Sequence, residues 1–151
     1  MKYEIVIGLE THVRVGSITK MFGGEPNAVA LERDPNINIW PVSLGLPGAL
    51  PILSEGVVDL AVRASHGLRM TVNTFSQFDR KSYFYPDLPM GYQITQLFHP
   101  ISEHGHLDAF VGDELKRFKI RRIHIEADAG GSKHSVTKSL IDFNRAGSPL
   151  M

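Results

Sequence analysis

The sequence predicts an α+β domain with a mostly antiparallel sheet. Short segments of alternating apolar and polar residues follow one another without the helix that each parallel crossover would need. One apolar stripe of helical period lies between residues 55 and 69, and Gly112-Asp113 has the composition of a tight hairpin turn. The chain has 151 residues and shows no internal repeat or linker, so we expect a single domain over residues 1–151.

The first predicted strand covers residues 3–15. It opens with three apolar residues and then alternates. One set of alternate positions is Leu9, Thr11, Val13 and Val15, and the other, which is polar, is Glu10, His12 and Arg14. Because successive side chains of a strand leave opposite faces, this pattern predicts one buried face and one polar face.

An irregular flap and a helix are predicted next. Residues 16–51 contain the turn sequences Asp34-Pro35-Asn36 and Leu46-Pro47-Gly48, with a short apolar piece from 37 to 42 between them. Ser54 then stands where an N-cap is expected, and apolar residues recur at helical spacing over 55–69. We expect this helix to pack its apolar stripe on the core.

The second half of the chain is predicted to be mostly strands joined by turns. The predicted strands cover residues 93–97, 107–111, 115–127 and 139–143, and Gly130-Gly131 follows the third of them. The end of the third strand alternates, with Ile123, Ile125 and Ala127 on one side and Arg122, His124, Glu126 and Asp128 on the other. The sequence therefore predicts a second polar strand face.

Charge and composition exclude several classes of function. Sixteen Lys and Arg residues balance sixteen Asp and Glu residues, so the formal net charge is +0 and no overall electrostatic surface for nucleic acid is expected. The chain has no cysteine, which excludes disulfides and a Cys-ligated zinc. Its apolar runs are short and its first residues do not form an export signal, so we expect a cytoplasmic protein without a membrane partner.

Residues 78–93 form an aromatic loop that we interpret as a possible ligand site. They combine two acids, two bases, three tyrosines and two prolines in sixteen residues. Charged groups beside aromatic faces suit an anionic, planar ligand, and binding residues commonly lie on loops. An ordinary aromatic turn packed on the core is the alternative interpretation.

The two polar strand faces are a candidate metal site. Glu10 and His12 are two residues apart on a strand, so their side chains leave the same face about 7 Å apart. Glu126 and Asp128 have the same spacing. Carboxylates with one imidazole suit Mg²⁺ or Mn²⁺ better than a structural zinc. A solvent-exposed polar face is the alternative, and we expect the remaining histidines His99, His104, His106 and His134 to be surface loop residues.

Six blocks, in order along the chain, resemble the B subunit of the tRNA-dependent amidotransferases. They are Val6-Ile7-Gly8-Leu9-Glu10-Thr11-His12-Val13, Gly24-Glu25-Pro26-Asn27, Leu44-Gly45-Leu46-Pro47-Gly48-Ala49-Leu50-Pro51, residues 78–96, the stretch Arg122 to Glu126 with Asp128-Ala129-Gly130, and Asp142-Phe143-Asn144-Arg145-Ala146-Gly147. The resemblance implies a cradle of antiparallel strands similar to the catalytic domains of glutamine synthetase and guanido kinases.

The resemblance also implies an activity and its residues. Members of this family use ATP and Mg²⁺ to phosphorylate the side-chain carboxylate of Glu on the glutamine tRNA, or of Asp on the asparagine tRNA. Ammonia released by the A-type subunit then displaces the phosphate, and a C-type subunit is the other expected partner. By the same resemblance Glu10, His12, Glu126 and Asp128 would bind the metal. Lys81 would neutralise phosphate charge, Tyr83 and Tyr85 would shape the nucleotide pocket, and Asp79 and Arg80 would act directly or form an ion pair.

The chain departs from the family pattern at several positions. Ala127 stands where a second acid is often found, and Met90 and Gly131 stand where lysines are common. The cysteine pairs that bind zinc in many members are missing, so no zinc is expected. Members also continue into helical and tail domains that hold tRNA, so aminoacyl-tRNA would be reached through other domains or partners. Two hypotheses follow: an ATP-dependent ligase subunit, or a non-catalytic nucleotide-binding or assembly module.

Overall fold

The structure, a computed structural model, describes residues 2–27 and 34–151. Within these ranges one helix and nine strands are found, and every paired strand runs antiparallel to its partner. They are α1 Glu55–Gly67, β1 Thr71–Val72, β2 Asp79–Ser82, β3 Tyr92–Thr95, β4 Ser102–Val111, β5 Glu114–Ile123, β6 Glu126–Ala127, β7 Gly131–His134, β8 Ser139–Asp142 and β9 Pro149–Leu150. The predicted α+β class with antiparallel pairing is confirmed.

The helix forms where it was predicted and packs as predicted. It buries Val57, Ala61 and Ser65 along one stripe, and the Ser65 hydroxyl also contacts Ser102 Oγ at 2.8 Å. Ser54 precedes the first turn, but its side chain makes no capping hydrogen bond and instead accepts one from Thr19. Packing of this stripe on the core, and not a side-chain N-cap, therefore stabilises the helix.

The predicted hairpin at Gly112 is also confirmed. β4 and β5 pair over their whole length, from Ser102 opposite Ile123 to Val111 opposite Glu114, and Gly112 has a φ of 63°. β1 extends this pair to a three-stranded sheet. β5 ends at Ile123 instead of continuing to residue 127, because the chain leaves β4 there and residues 126–127 pair with β9 instead.

The remaining strands are short and form two-stranded sheets. Residues 78–93, predicted as a loop, contain β2 and the start of β3, which pair as a hairpin, and β7 pairs with β8. β1, β2, β7 and β9 were not predicted, since the polar sequences of β2 and β7 and the two-residue lengths of β1 and β9 show no apolar alternation.

The predicted strand over residues 3–15 is wrong for most of its length. Arg14 pairs with Leu150 as an isolated bridge, and Val13 and Val15 bond to the backbone of residues 149–151. The backbone of residues 4–12 makes no backbone hydrogen bond to any residue that the structure describes. A strand needs a neighbour for its N–H and C=O groups, and this segment has none within the described ranges.

The predicted flap is confirmed for residues 16–27 and 34–51, which form no helix or named strand, while residues 28–33 lie outside the described residues. Lys20, fully buried, holds the flap by donating from Nζ to the carbonyls of Asn38 and Ala146 at 2.9 and 2.8 Å. The Asn144 side chain accepts from the backbone N–H groups of Ile37 and Asn38, both at 2.9 Å. These bonds pack the flap against the C-terminal segment.

The described ranges contain no helix that could span a membrane.

Candidate functional site

The polar face predicted around Glu126 exists and is partly buried. Glu126 is only 7% exposed, and Thr95 Oγ1 donates a hydrogen bond of 2.8 Å to its carboxylate. Asp128 is half-buried, and its carboxylate lies 3.2 Å from Arg145 Nε. Burial raises the pKa of Asp128, and the guanidinium of Arg145 opposes that rise. Burying a carboxylate costs free energy, so Glu126 beside the half-buried Asp128 is not what an ordinary solvent-exposed strand face would show.

The pKa of His124 depends on its burial and on the charged groups of this face. Burial lowers its pKa, the carboxylate of Glu126 raises it, and weaker electrostatic effects reach it from Glu10 and His12. The side chains of Glu10 and His12 are exposed, and their charges are close enough to His124 to affect its pKa. The sequence placed these residues on related polar faces, and the structure brings them into electrostatic range.

The predicted metal ligands do not assemble into a metal site. Among residues 2–27 and 34–151 no three His, Asp or Glu side chains come close enough to hold one ion. The oxygen-rich donor set suits Mg²⁺ in its chemistry. The set is not assembled among the described residues, where Glu10 and His12 lie on an exposed segment that pairs with no strand.

Ala127 does not share the face of Glu126. It is 7% exposed, belongs to the hydrophobic core and lines a small cavity with Met90. Neighbouring residues of a strand point to opposite faces. An acid at position 127 would therefore point into the core, so its replacement by alanine does not remove a ligand from the face that holds Glu126.

The aromatic loop arranges two of its three tyrosines as a stacked pair. The rings of Tyr83 and Tyr85 lie 6.0 Å apart at 29°. Loss of solvent and the nearby carboxylate of Asp87 raise the pKa of the Tyr83 hydroxyl. Lys81 lies on β2 opposite Gln93 and is exposed. The loop thus presents a cation and two ring faces at the surface.

A series of hydrogen bonds that was not predicted from the sequence supports this loop. Tyr85 Oη lies 3.1 Å from His134 Nε2, and His134 Nδ1 lies 2.8 Å from Ser139 Oγ. His134 and Ser139 face each other across β7 and β8. His134 is exposed, as expected, but it lies on β7 and not in a loop, and the pairing of β7 with β8 carries its ring to the aromatic loop. His104 and His106, also expected in loops, lie on β4.

Asp79 and Arg80 have separate partners. Asp79 Oδ2 accepts the backbone N–H of Leu97 at 2.8 Å and that of Phe98 at 3.3 Å. The Arg80 guanidinium lies over the Tyr92 ring, 4.8 Å from its centroid. The alternative of an Asp79–Arg80 ion pair is therefore wrong within the part of the chain that the structure describes.

Comparison with known proteins assigns this chain to a family. Residues 5–151 match the family model described as the GatB/GatE catalytic domain. The chain belongs to this family. It is 49% identical over 150 residues to the B subunit of the aspartyl/glutamyl-tRNA(Asn/Gln) amidotransferase of Elusimicrobium minutum. It is 48% identical over 151 residues to the protein of the same name from Staphylococcus carnosus.

The match covers nearly all of this chain and a minor part of its relatives. It spans 99% of the chain and 31% of the Elusimicrobium minutum relative, and 100% and 31% for the Staphylococcus carnosus relative. Every residue predicted for the site, from Glu10 to Asp128, lies within the matched GatB/GatE catalytic domain. The resemblance drawn from six sequence blocks is confirmed at the level of the family.

Proposed function

We propose that this chain carries the ATP-dependent activation step of a tRNA-dependent amidotransferase. Residues 1–151 would form the N-terminal part of a catalytic cradle like those of glutamine synthetase and guanido kinases, acting in the cytoplasm with A-type and C-type subunits. The substrate would be Glu on the glutamine tRNA or Asp on the asparagine tRNA, held by other domains or partners. The proposal is carried by Glu126, a buried carboxylate on the polar face of a GatB/GatE catalytic domain.

The proposed step converts a poor electrophile into a good one. A side-chain carboxylate oxygen attacks the γ-phosphorus of ATP, the bond to the β,γ-bridging oxygen breaks, and ADP leaves with that electron pair. Ammonia then attacks the acyl carbon, and inorganic phosphate leaves to give the amide. Phosphoryl transfer depends chiefly on positioning and on neutralising charge, which a cation and a preorganised polar face supply.

The residues of this chain would have three roles in that step. Lys81 would neutralise phosphate charge, and Tyr83 and Tyr85 would offer stacked ring faces to the base or to the aminoacyl end. Glu10, His12, Glu126 and Asp128 are proposed as the Mg²⁺ ligands, with Glu10, His12 and Glu126 as the catalytic face together with Lys81. Since the described residues bring no three of these ligands together, the set would be complete only after Glu10 and His12 change position.

Calorimetric titration with ATP and Mg²⁺ tests the proposal. The Glu126→Gln variant keeps the side-chain shape but removes the charge, and Glu114→Gln, exposed on the β4–β5 hairpin, is its matched control. We expect Glu126→Gln to weaken binding by at least about tenfold, as loss of a metal ligand typically does, and Glu114→Gln to bind like the parent chain. Equal binding by all three chains, or none by the parent, would contradict the proposed site.

A non-catalytic nucleotide-binding or assembly module is the second candidate. It is favoured by the apolar pair Met90 and Ala127 at positions where the family commonly carries charges. The two candidates differ in turnover. With A-type and C-type subunits and aminoacylated tRNA, a ligase subunit should release ADP in proportion to tRNA. A module would bind ATP and release no ADP under the same conditions.

A further inference from the structure

The stacked tyrosines of the aromatic loop leave only their outer ring faces to a ligand. The ring centroids of Tyr83 and Tyr85 lie 6.0 Å apart with an interplanar angle of 29°. At this separation two aromatic rings contact each other, so no third ring fits between them. Both residues are partly exposed, at 39% and 42%. A planar ligand would therefore stack on an outer face, and the orientation of the pair would decide how well that ligand binds.

The orientation of Tyr85 is restricted by His134. Tyr85 Oη lies 3.1 Å from His134 Nε2, and the two rings meet edge to face, with centroids 6.2 Å apart and an interplanar angle of 76°. A tyrosine side chain turns about two torsions, and a contact at its far end limits both of them. Because Tyr85 stacks on Tyr83, the same contact limits the position of the pair.

His134 is in turn held by the strand pair to which it belongs. Its Nδ1 lies 2.8 Å from Oγ of Ser139, the residue opposite it across β7 and β8. Just before the other end of β7, the Gly130 N–H donates to the Asp87 carbonyl of the aromatic loop at 2.8 Å. One ring nitrogen of His134 therefore fixes the ring, and the other is presented to Tyr85, an arrangement that commonly orients functional histidines.

The contacts of His134 are too exposed to add much to the stability of the fold. His134 and Ser139 are both exposed, so water competes for each hydrogen bond and leaves a small net contribution to the free energy of unfolding. The main consequence of these contacts is local, since they set the direction of one ring. An effect on ligand binding without an effect on unfolding would distinguish this role from a merely structural one.

We propose that His134 is a positioning residue of the nucleotide site. By holding Tyr85 Oη, it keeps an outer face of the stacked tyrosines turned toward the base of ATP, and it does not touch the nucleotide itself. A ring that is oriented before binding saves the free-energy cost of ordering it in the complex. The role in nucleotide binding rests on the proposed function, whereas the contact between His134 and Tyr85 does not.

Two substitutions separate the two ring nitrogens of His134. A glutamine amide reaches about as far from the backbone as Nε2 of histidine, and an asparagine amide reaches about as far as Nδ1. His134→Gln therefore keeps a partner for Tyr85, whereas His134→Asn keeps one only for Ser139. In calorimetric titration with ATP and Mg²⁺ we expect His134→Gln to bind like the parent chain. We expect His134→Asn to bind roughly threefold to tenfold more weakly, as the loss of one hydrogen bond implies.

His104→Asn is the matched control for the chemical change. His104 is an exposed histidine on β4 with a φ of 57°, a left-handed conformation that asparagine also adopts. This variant should bind ATP like the parent chain. In urea unfolding, His134→Gln and His134→Asn should have the same midpoint, so that a difference in their affinity for ATP does not come from a difference in stability.

Tyr85→Phe tests whether His134 acts through the tyrosine hydroxyl. It removes Oη and keeps the ring, so it should weaken ATP binding by the same factor as His134→Asn. The two substitutions together should weaken binding no more than either one alone, because both remove the same contact. Effects that multiply in the double variant would overturn the proposal.

Nuclear magnetic resonance of the Tyr85 ring signals, without nucleotide, tests the contact by itself. His134→Asn should shift these signals and weaken the nuclear Overhauser contacts between the rings of Tyr83 and Tyr85, and His134→Gln should preserve both. Unchanged signals in His134→Asn would overturn the proposal, and so would changed signals with unaltered affinity for ATP. Absence of ATP binding by the parent chain would instead contradict the proposed function and, with it, this role of His134.

Discussion

Met90 and Ala127 line the same small cavity, of about 20 Å³, between the aromatic loop and the core. From the resemblance to the family, a lysine was expected at position 90 and an acid at position 127. Because both positions line this cavity, an acid at 127 and a lysine at 90 would lie near each other in a mostly buried environment. An apolar pair can replace a buried ion pair without loss of stability.

Restoring one charge alone should therefore destabilise the chain. We expect Ala127→Glu to lower the free energy of unfolding by about 3–5 kcal/mol, because it buries an unpaired carboxylate. Adding Met90→Lys should return at least about 1 kcal/mol, within the usual coupling range of contacting residues. Urea unfolding of the two single variants and the double variant measures this coupling. Additive effects would show that the two side chains do not meet.

Gly130 and Gly131 should respond differently to alanine. A Cβ on Gly130 would lie 2.9 Å from the Asp142 carbonyl and 3.0 Å from that of Asp87, and both are backbone atoms. On Gly131 the nearest such atom is 3.7 Å away, an ordinary contact. We expect Gly130→Ala to cost about 1–3 kcal/mol and Gly131→Ala less than about 0.5 kcal/mol in urea unfolding. Equal costs would contradict the close approach of the backbone at Gly130.

Lys20 should be one of the most sensitive positions in the flap. It is fully buried, donates to two carbonyls, and lies 3.6 Å from Glu25, whose pKa is raised by burial. Lys20→Met would remove the cation that lies beside the buried Glu25 carboxylate, at a cost of about 3–5 kcal/mol. Thermal and urea unfolding measure the loss. The exposed pair Lys116 and Glu114 provides the control, and Lys116→Met should cost less than about 1 kcal/mol.

The sensitivity of Lys20 has an internal check. If the unpaired carboxylate causes the loss, Lys20→Met combined with Glu25→Gln should be more stable than Lys20→Met alone. A double variant that is less stable than the single one would instead assign the loss to the two carbonyls that Lys20 bonds.

Asp108 should contribute to acid stability through the β4–β5 hairpin. Arg117 bonds its carboxylate at 2.7 and 3.0 Å and holds the pKa of Asp108 at about 2, below its ordinary 3.8. A depressed carboxyl pKa contributes stability above pH 3.8 that is lost as the pH falls toward about 2. Arg117→Gln should raise the pKa toward 3.8 and shrink this loss, with Arg69 still in place at 3.0 Å.

Nuclear magnetic resonance titration of the Asp108 carboxyl carbon measures the shift. Arg121→Gln, on the same strand, removes an arginine without a hydrogen bond to Asp108 in the described residues and should leave the titration unchanged. An unchanged pKa in Arg117→Gln would show that the pairing across the hairpin does not form in solution.

Local pattern predicted the elements whose partners are close in sequence. The helix was predicted from one stripe, and the β4–β5 hairpin from Gly112 between two alternating runs, because each signal lies within a few residues. The polar face of Glu126 and Asp128 was predicted from the same alternation. β2 and β7 were missed because strands of polar residues are defined by their pairing partners and not by their own pattern.

The α+β class, the antiparallel pairing and, through six blocks, the GatB/GatE family were all predicted from the sequence. These follow from alternation, turn residues and motifs that lie along the chain. The three-dimensional structure was needed to show that Ala127 lines a core cavity with Met90, that His134 supports Tyr85, and that the backbone of residues 4–12 pairs with no strand in the described ranges. Burial and strand pairing depend on groups that are distant along the chain, and an alternating segment remains an exposed edge until a partner satisfies its backbone.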